Sequence, residues 1–287
     1  MDQLALHVSK ALERPCGSDV QTMARHILNL HPGICAVVAY GSTQRDQSTA
    51  DTLIDFYCLV ESRQELAMGA VLQHLGDLVP PNVFYAKTNR TKHVLRCKYA
   101  VVTFQKLRQW TRTNVATPYF WVRFCQPMSL VFVRDEAARL AVADIAAQAM
   151  RTAYGQAKAL LPDADPLAQW EALFAETYRT ELRPEGRGRS RSIVDAEPGH
   201  YIQISALMAD VPVRKGNWMW ARAAGKMLTT LRLCKAAFTF SGGSDYVAWK
   251  IERHSGAKIV LTPWQRRHPI LAGLMLLPKL LLRGVIR

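Results

Sequence analysis

The chain has 287 residues, 37 of them Lys or Arg against 23 Asp or Glu, for a formal net charge of +14. That length suits two domains or one elaborated one, and 49% apolar residues suffice for an ordinary core. The charge calls for an anionic partner, whether nucleic acid, a phosphate-bearing substrate or an acidic membrane, and the six scattered cysteines, with no Cys-x-x-Cys pair, argue against a disulfide framework or a zinc site and for a reducing compartment.

The opening MDQLALHVSKALERP lacks a basic start followed by an apolar run, so neither a signal nor a transit peptide is expected. Ser18 and Gln21 have capping-box spacing ahead of Met23, Ile27 and Leu30, which predicts a helix ending at His31-Pro32-Gly33. ICAVVAY (34–40) and TLIDFYCLV (52–60) read as buried strands, and Ser62 with Glu65 predicts a helix to about Gly76. Three further strands are expected in NVFYA (82–86), HVLRCKYAVVTF (93–104) and MSLVFV (128–133).

From Asp135 the composition turns rich in alanine and leucine, predicting a long helix that stops at Pro162, then a second helix from Asp165-Pro166. YRTELRPEGRGRSR (178–191) alternates charges with Pro and Gly and is expected to be a loop. Another helix is expected over about 217–237, and SGGS at 241–244 reads as a hinge. The expected fold is α+β: a mixed-sheet domain over 1–134, a mainly helical domain over 135–240, and a C-terminal region over 241–287.

The stretch VVAYGSTQRDQSTADTLIDFYCLVE (37–61) carries the chemistry. A Gly-Ser pair at a strand end frees backbone N–H groups and a hydroxyl to hold a phosphate, and Gly41 lets that backbone approach closely. On the returning strand Asp51, Leu53 and Asp55 share one side, because side chains alternate with period two. Two carboxylates there suit Mg²⁺, which takes oxygen ligands and shares them with substrate phosphates. The combination describes nucleotidyl transfer, the turn positioning a triphosphate and a metal offsetting charge on the leaving pyrophosphate.

Tyr40-Gly41-Ser42 followed by Ile54-Asp55-Phe56 and Val60 resembles the nucleotide-binding signature of the mitochondrial-type phosphatidate cytidylyltransferases, the translocator assembly and maintenance family, within the polymerase-beta-like nucleotidyltransferase superfamily. Further segments resemble that family in order: Lys98 to Val102, Gln109-Trp110, Tyr119 with Arg123 to Pro127, and Tyr178-Arg179 through Glu185-Gly186-Arg187 to Ile193-Val194. Thr43 stands in place of the family's second glycine, and Tyr57 in place of the second carboxylate of the superfamily's Asp-x-Asp pair, which leaves Asp51 as the candidate partner of Asp55.

The resemblance implies an Mg²⁺-dependent enzyme joining CTP to phosphatidic acid. It implies nucleotide contacts from Tyr40, Gly41, Ser42, Thr43, Lys98 and Arg123, metal ligation by Asp51 and Asp55, and a catalytic role for Asp55, Asp51 and Lys98. Arg179, Arg183, Arg187, Arg189 and Arg191 are candidates for the lipid phosphate, since arginine forms paired, charge-assisted hydrogen bonds with such groups. Five of the eight histidines, at 74, 93, 200, 254 and 268, have no metal-ligand spacing.

The C-terminus, RRHPILAGLMLLPKLLLRGVIR, joins Arg266, Arg267, Lys279, Arg283 and Arg287 to aliphatics over 269–282, too few to span a bilayer that needs about 20. An amphipathic tail on an anionic membrane surface is expected, with nucleic acid a less favoured partner; a bacterial member of the resembled family would then lie in the cytoplasm against the inner face of the cell membrane. Two alternatives stand beside this: a nucleotidyltransferase acting on a soluble or nucleic-acid acceptor, and a non-catalytic membrane-binding assembly module.

Overall fold

The computed structural model describes residues 2–41, 53–65, 69–89, 94–181, 188–239 and 261–267. Helix α1 (Gln3–Ala11) starts from Asp2, whose carboxylate accepts the Ala5 N–H at 2.9 Å. Helix α2 (Ser18–Leu30) starts one residue earlier than the capping-box spacing requires: Gly17 takes the cap position, and Gln21 donates back to the Cys16 carbonyl at 3.3 Å. The second box is half formed. Glu65 accepts from the Glu61 and Ser62 N–H groups at 2.9 and 3.3 Å, but residues 63–65 make a single 3₁₀ turn and α3 (Ala70–Leu78) begins later, at Gly69.

The five expected strands are present as β1 (Ala36–Tyr40), β2 (Ile54–Val60), β3 (Val83–Asn89), β4 (Val94–Thr103) and β5 (Met128–Val133). Short helices α4 (Phe104–Trp110) and α5 (Trp121–Phe124) separate β4 from β5. The helical region follows as α6 (Glu136–Leu160), α7 (Pro166–Tyr178), α8 (Arg189–Ala196), α9 (Pro198–Leu207) and α10 (Trp218–Thr239), with a short helix at Pro263–Arg267. Asp135 and Asp165 cap α6 and α7 with their carboxylates. Arg189 and Arg191, expected in a loop, open α8 instead, after Gly188 turns the chain at φ +108°. The 241–244 hinge and the 269–282 aliphatic run lie outside the described residues.

The sheet order is β3-β4-β2-β1-β5, and β2–β4 is the one parallel pair among the described strands. Chain connectivity requires this, because α3 and β3 intervene and return the chain in the same direction. Strand alternation then sorts the apolar residues onto two faces. Val37, Ala39, Phe56, Cys58 and Val101 pack with Met23 and Ile27 of α2. Val38, Tyr57, Leu59, Ala100 and Val102 pack with α1, α5 and α6, and that core continues through Trp170, Phe174 and Tyr201 of α7 and α9. The protein is therefore α+β, a mixed five-stranded sheet with helices followed by a mainly helical region. Among the described residues no helix is long and apolar enough to cross a membrane.

Candidate active site

Every residue of β2 is buried except Asp55, which is half-buried near the strand's start. The register sets Tyr40 of β1 beside Asp55, Asp55 beside Lys98 of β4, and Lys98 beside Tyr85 of β3. Directly paired residues point to the same side, so one row across four strands presents a phenol, a carboxylate, an ammonium and a second phenol. The backbone turns out of β1 at Gly41, whose φ of +84° favours glycine. A Cβ built on Gly41 would lie 3.7 Å from Asp55 Oδ2, so the carboxylate sits directly beneath the turn. Ser42, Thr43 and Asp51 lie outside the described residues.

An aromatic and cationic layer borders this row. Tyr40 stacks on Tyr57 with ring centroids 5.0 Å apart, and Tyr57 packs on Phe124 at the same distance. Burial pushes the Tyr40 phenol well above its ordinary pKa, and neighbouring Tyr57 and the Asp55 carboxylate push it further, so Tyr40 stays neutral. Arg123 of α5 stands over the Tyr119 ring at 3.8 Å, and Arg232 of α10 over the same ring at 3.6 Å. Both guanidinium groups therefore lie within cation–π range of the one ring.

Glu181 accepts from Arg123 Nη2 at 3.0 and 3.4 Å, in an ion pair whose side chains are only 10% and 12% exposed. Burial, the largest single influence, would lower the Arg123 pKa, but Glu181 together with the Tyr119, Tyr57 and Tyr40 phenols outweighs it and raises the value. Arg232 has its pKa lowered by burial, with the Arg123 charge adding to that, and its Nε donates to the Pro80 carbonyl at 2.6 Å. Arginine stays charged nonetheless. Glu181 thus pairs with Arg123, and Arg232 adds a second positive charge, so the cluster carries a net positive charge beside Tyr40.

No family model and no curated protein matches the chain. Among solved structures, one similar to it is a nucleotidyltransferase-like protein from Exiguobacterium sibiricum 255-15. It is 13% identical, covers 93% of this chain and 92% of its own, and has a TM-score of 0.26. So loose a superposition carries no argument about the site.

The residues the sequence singled out divide into groups. Tyr40, Gly41, Asp55 and Lys98 come together on one sheet face, with Arg123 bordering Tyr40. Arg179 pairs with Glu176 at 3.0 Å and Arg191 with Asp195 at 3.4 Å, both near the surface, so these two are not members of an unpaired arginine row. Arg189 sits at the start of α8, while Arg183 and Arg187 lie outside the described residues. Sequence reasoning missed Glu181 and Arg232, which only the packing of α5 and α10 brings to Tyr119. The available signal was the absence of any acid in 211–239, which holds six Lys or Arg.

Among the described residues no group of three or more His, Cys, Asp or Glu converges as a metal site. Asp55 contributes one carboxylate. Mg²⁺ held by one or two carboxylates, with water and substrate phosphates completing its shell, is compatible with that donor set.

Proposed function

We propose that the protein is an Mg²⁺-dependent nucleotidyltransferase, and more narrowly a phosphatidate cytidylyltransferase that converts CTP and phosphatidic acid to CDP-diacylglycerol and pyrophosphate. The observation that carries the nucleotidyl-transfer reading is Asp55 beneath the Gly41 turn, beside Lys98 and bordered by the Arg123–Tyr119–Arg232 stack. CTP and the lipid acceptor are supported by the ordered resemblance of the motifs between Tyr40 and Val194.

In this reading a lipid phosphate oxygen attacks the α-phosphorus of CTP, a P–O bond forms, and the bond to the β-phosphate breaks to release pyrophosphate. The attacking phosphate is already ionised at neutral pH, so positioning and charge neutralisation dominate and no strong base is needed. The turn at Gly41, with Ser42 and Thr43, holds the β- and γ-phosphates. Asp55, with Asp51, would hold Mg²⁺, which would supply charge neutralisation for the triphosphate. Lys98, Arg123 and Arg232 balance the meeting anions, and Arg179, Arg183, Arg187, Arg189 and Arg191 receive the lipid phosphate, those at 179 and 191 only by exchanging their carboxylate partners. The chain works at an anionic membrane surface, with the C-terminal tail as one anchor.

The test is pyrophosphate release from each of the four nucleoside triphosphates, with Mg²⁺ and phosphatidic acid in detergent micelles. Release with CTP that depends on the lipid is expected. Release with CTP only when a soluble acceptor replaces the lipid would overturn the lipid assignment, and no release with any nucleotide from folded protein would overturn the enzyme assignment.

A further inference from the structure

Helix α10 is amphipathic the wrong way round for a helix in water. Three of its four cations bond inward: Arg222 Nε donates to Glu176 Oε1 at 2.8 Å, Arg232 Nε to the Pro80 carbonyl, and Lys235 Nζ to the Pro81 carbonyl at 2.7 Å and Asn82 Oδ1 at 3.0 Å. On the same inner side Ala224 and Gly225 are buried, and Gly225 is so tight against Thr180 that a Cβ would fall 2.3 Å from its carbonyl oxygen. The apolar side chains turn outward. Met219, Met227 and Leu231 are 80%, 58% and 43% exposed, and with exposed Ala223 they fall at intervals of four along one face, Trp220 beside them at 59%.

We infer that this outer face of α10 is a docking surface for an anionic lipid bilayer, with the helix lying in the plane of the interface. The charge around it selects the partner. Residues 211–239 contain no Asp or Glu; Lys226 is exposed on α10 itself, and Arg214 and Lys215 are exposed in the segment just before it. An apolar stripe whose charged residues within 211–239 are all cations meets both demands of an anionic membrane, aliphatic groups below the headgroups and positive charge at their level. Trp220 suits the headgroup boundary, where tryptophan concentrates. The helix is not long and apolar enough to cross the bilayer. The inference does not depend on the proposed reaction, and it puts membrane contact on a helix whose inner side carries Arg232, rather than in the tail alone.

The test is co-sedimentation of the full chain with vesicles of phosphatidylcholine alone, or of phosphatidylcholine mixed with phosphatidylglycerol. Phosphatidic acid is left out, so capture of a lipid substrate by the active site does not register and the outcome is separable from that of the enzyme assay. Wild-type protein is expected to bind the mixed vesicles and to release as salt rises. The exposed pair Met219→Glu/Met227→Glu should weaken binding about tenfold or more, since both thioethers lose their apolar setting. Arg214→Gln/Lys215→Gln should weaken it on mixed vesicles only. Binding of the methionine variant equal to wild type would overturn the inference, leaving the tail as the contact. A lowered melting temperature in that variant with unchanged vesicle binding would also overturn it, by showing that the chain covers the face itself. A wild-type dimer that ignores vesicles and becomes monomeric in the variant would assign the face to a second copy instead.

Discussion

Asp55 and Lys98 are register partners across the parallel junction of β2 and β4, a carboxylate and an ammonium side by side on one face. In the proposed reaction they divide the work, Asp55 facing the metal and Lys98 the phosphates. Asp55→Asn should therefore lower CTP-dependent pyrophosphate release by about 10²–10³-fold or more. Asp55 is half-buried near the start of β2 and the amide is nearly isosteric, so the stability change should stay within about 1 kcal/mol. Release at the wild-type rate, with an unchanged melting curve, would remove Asp55 from the mechanism.

The two arginines on Tyr119 should separate structure from binding. Arg123→Gln strands the Glu181 carboxylate in a buried setting and should cost about 3–5 kcal/mol in urea unfolding. Arg123→Gln/Glu181→Gln should recover part of that loss, because the stranded charge goes too. Arg232→Gln removes a cation that burial disfavours and should cost no more than about 1 kcal/mol. Its effect should appear in calorimetric binding of tripolyphosphate, which should weaken about tenfold, as expected of a charge-assisted contact. Unchanged tripolyphosphate binding would make the stack a packing device only.

Gly225→Ala tests how α10 is fastened. The new Cβ would meet the Thr180 carbonyl, which is backbone and cannot swing aside, so a loss of about 1–3 kcal/mol is expected. Chemical denaturation measures it, and a neutral outcome would mean that α10 shifts on the helical region without penalty.

His200 should govern part of the acid limb of stability. Burial pushes its pKa down from 6.5 to about 4; Glu197 opposes this, while Arg14 and His7 lower it further. The folded state therefore binds fewer protons than the unfolded chain between those values. Stability should be intact above about pH 6.5 and fall as the pH drops through the window toward about 4. His200→Leu should flatten that fall, read as urea midpoint against pH. An unaltered slope would assign the acid sensitivity to the carboxylates.

Much of the fold was readable because local rules and burial agreed. MSLVFV maps onto β5 residue for residue, and the Asp135 and Asp165 caps were visible ahead of their helices. Ser18 and Ser62 misled because a hydroxyl at the right spacing is not sufficient; at both places a glycine with extended backbone took the cap position of the α-helix. Asp55 and Gly41 were legible because strand period and a glycine turn place them without help from the rest of the chain. Arg232 was not, since it meets Tyr119 only through α10's contacts with Thr180 and the Val79–Asn82 turn, and no sequence period encodes a contact of that range.

The span between Arg232 and Pro80, 152 residues along the chain, also sets an order of assembly. A chain emerging from the ribosome presents the strands with Asp55 and Lys98 well before α10 exists, and non-local contacts close last. The cationic wall of the site is thus its latest part to be completed, so nascent chains arrested before α10 would hold the sheet's carboxylate and ammonium without the second guanidinium that flanks Tyr119.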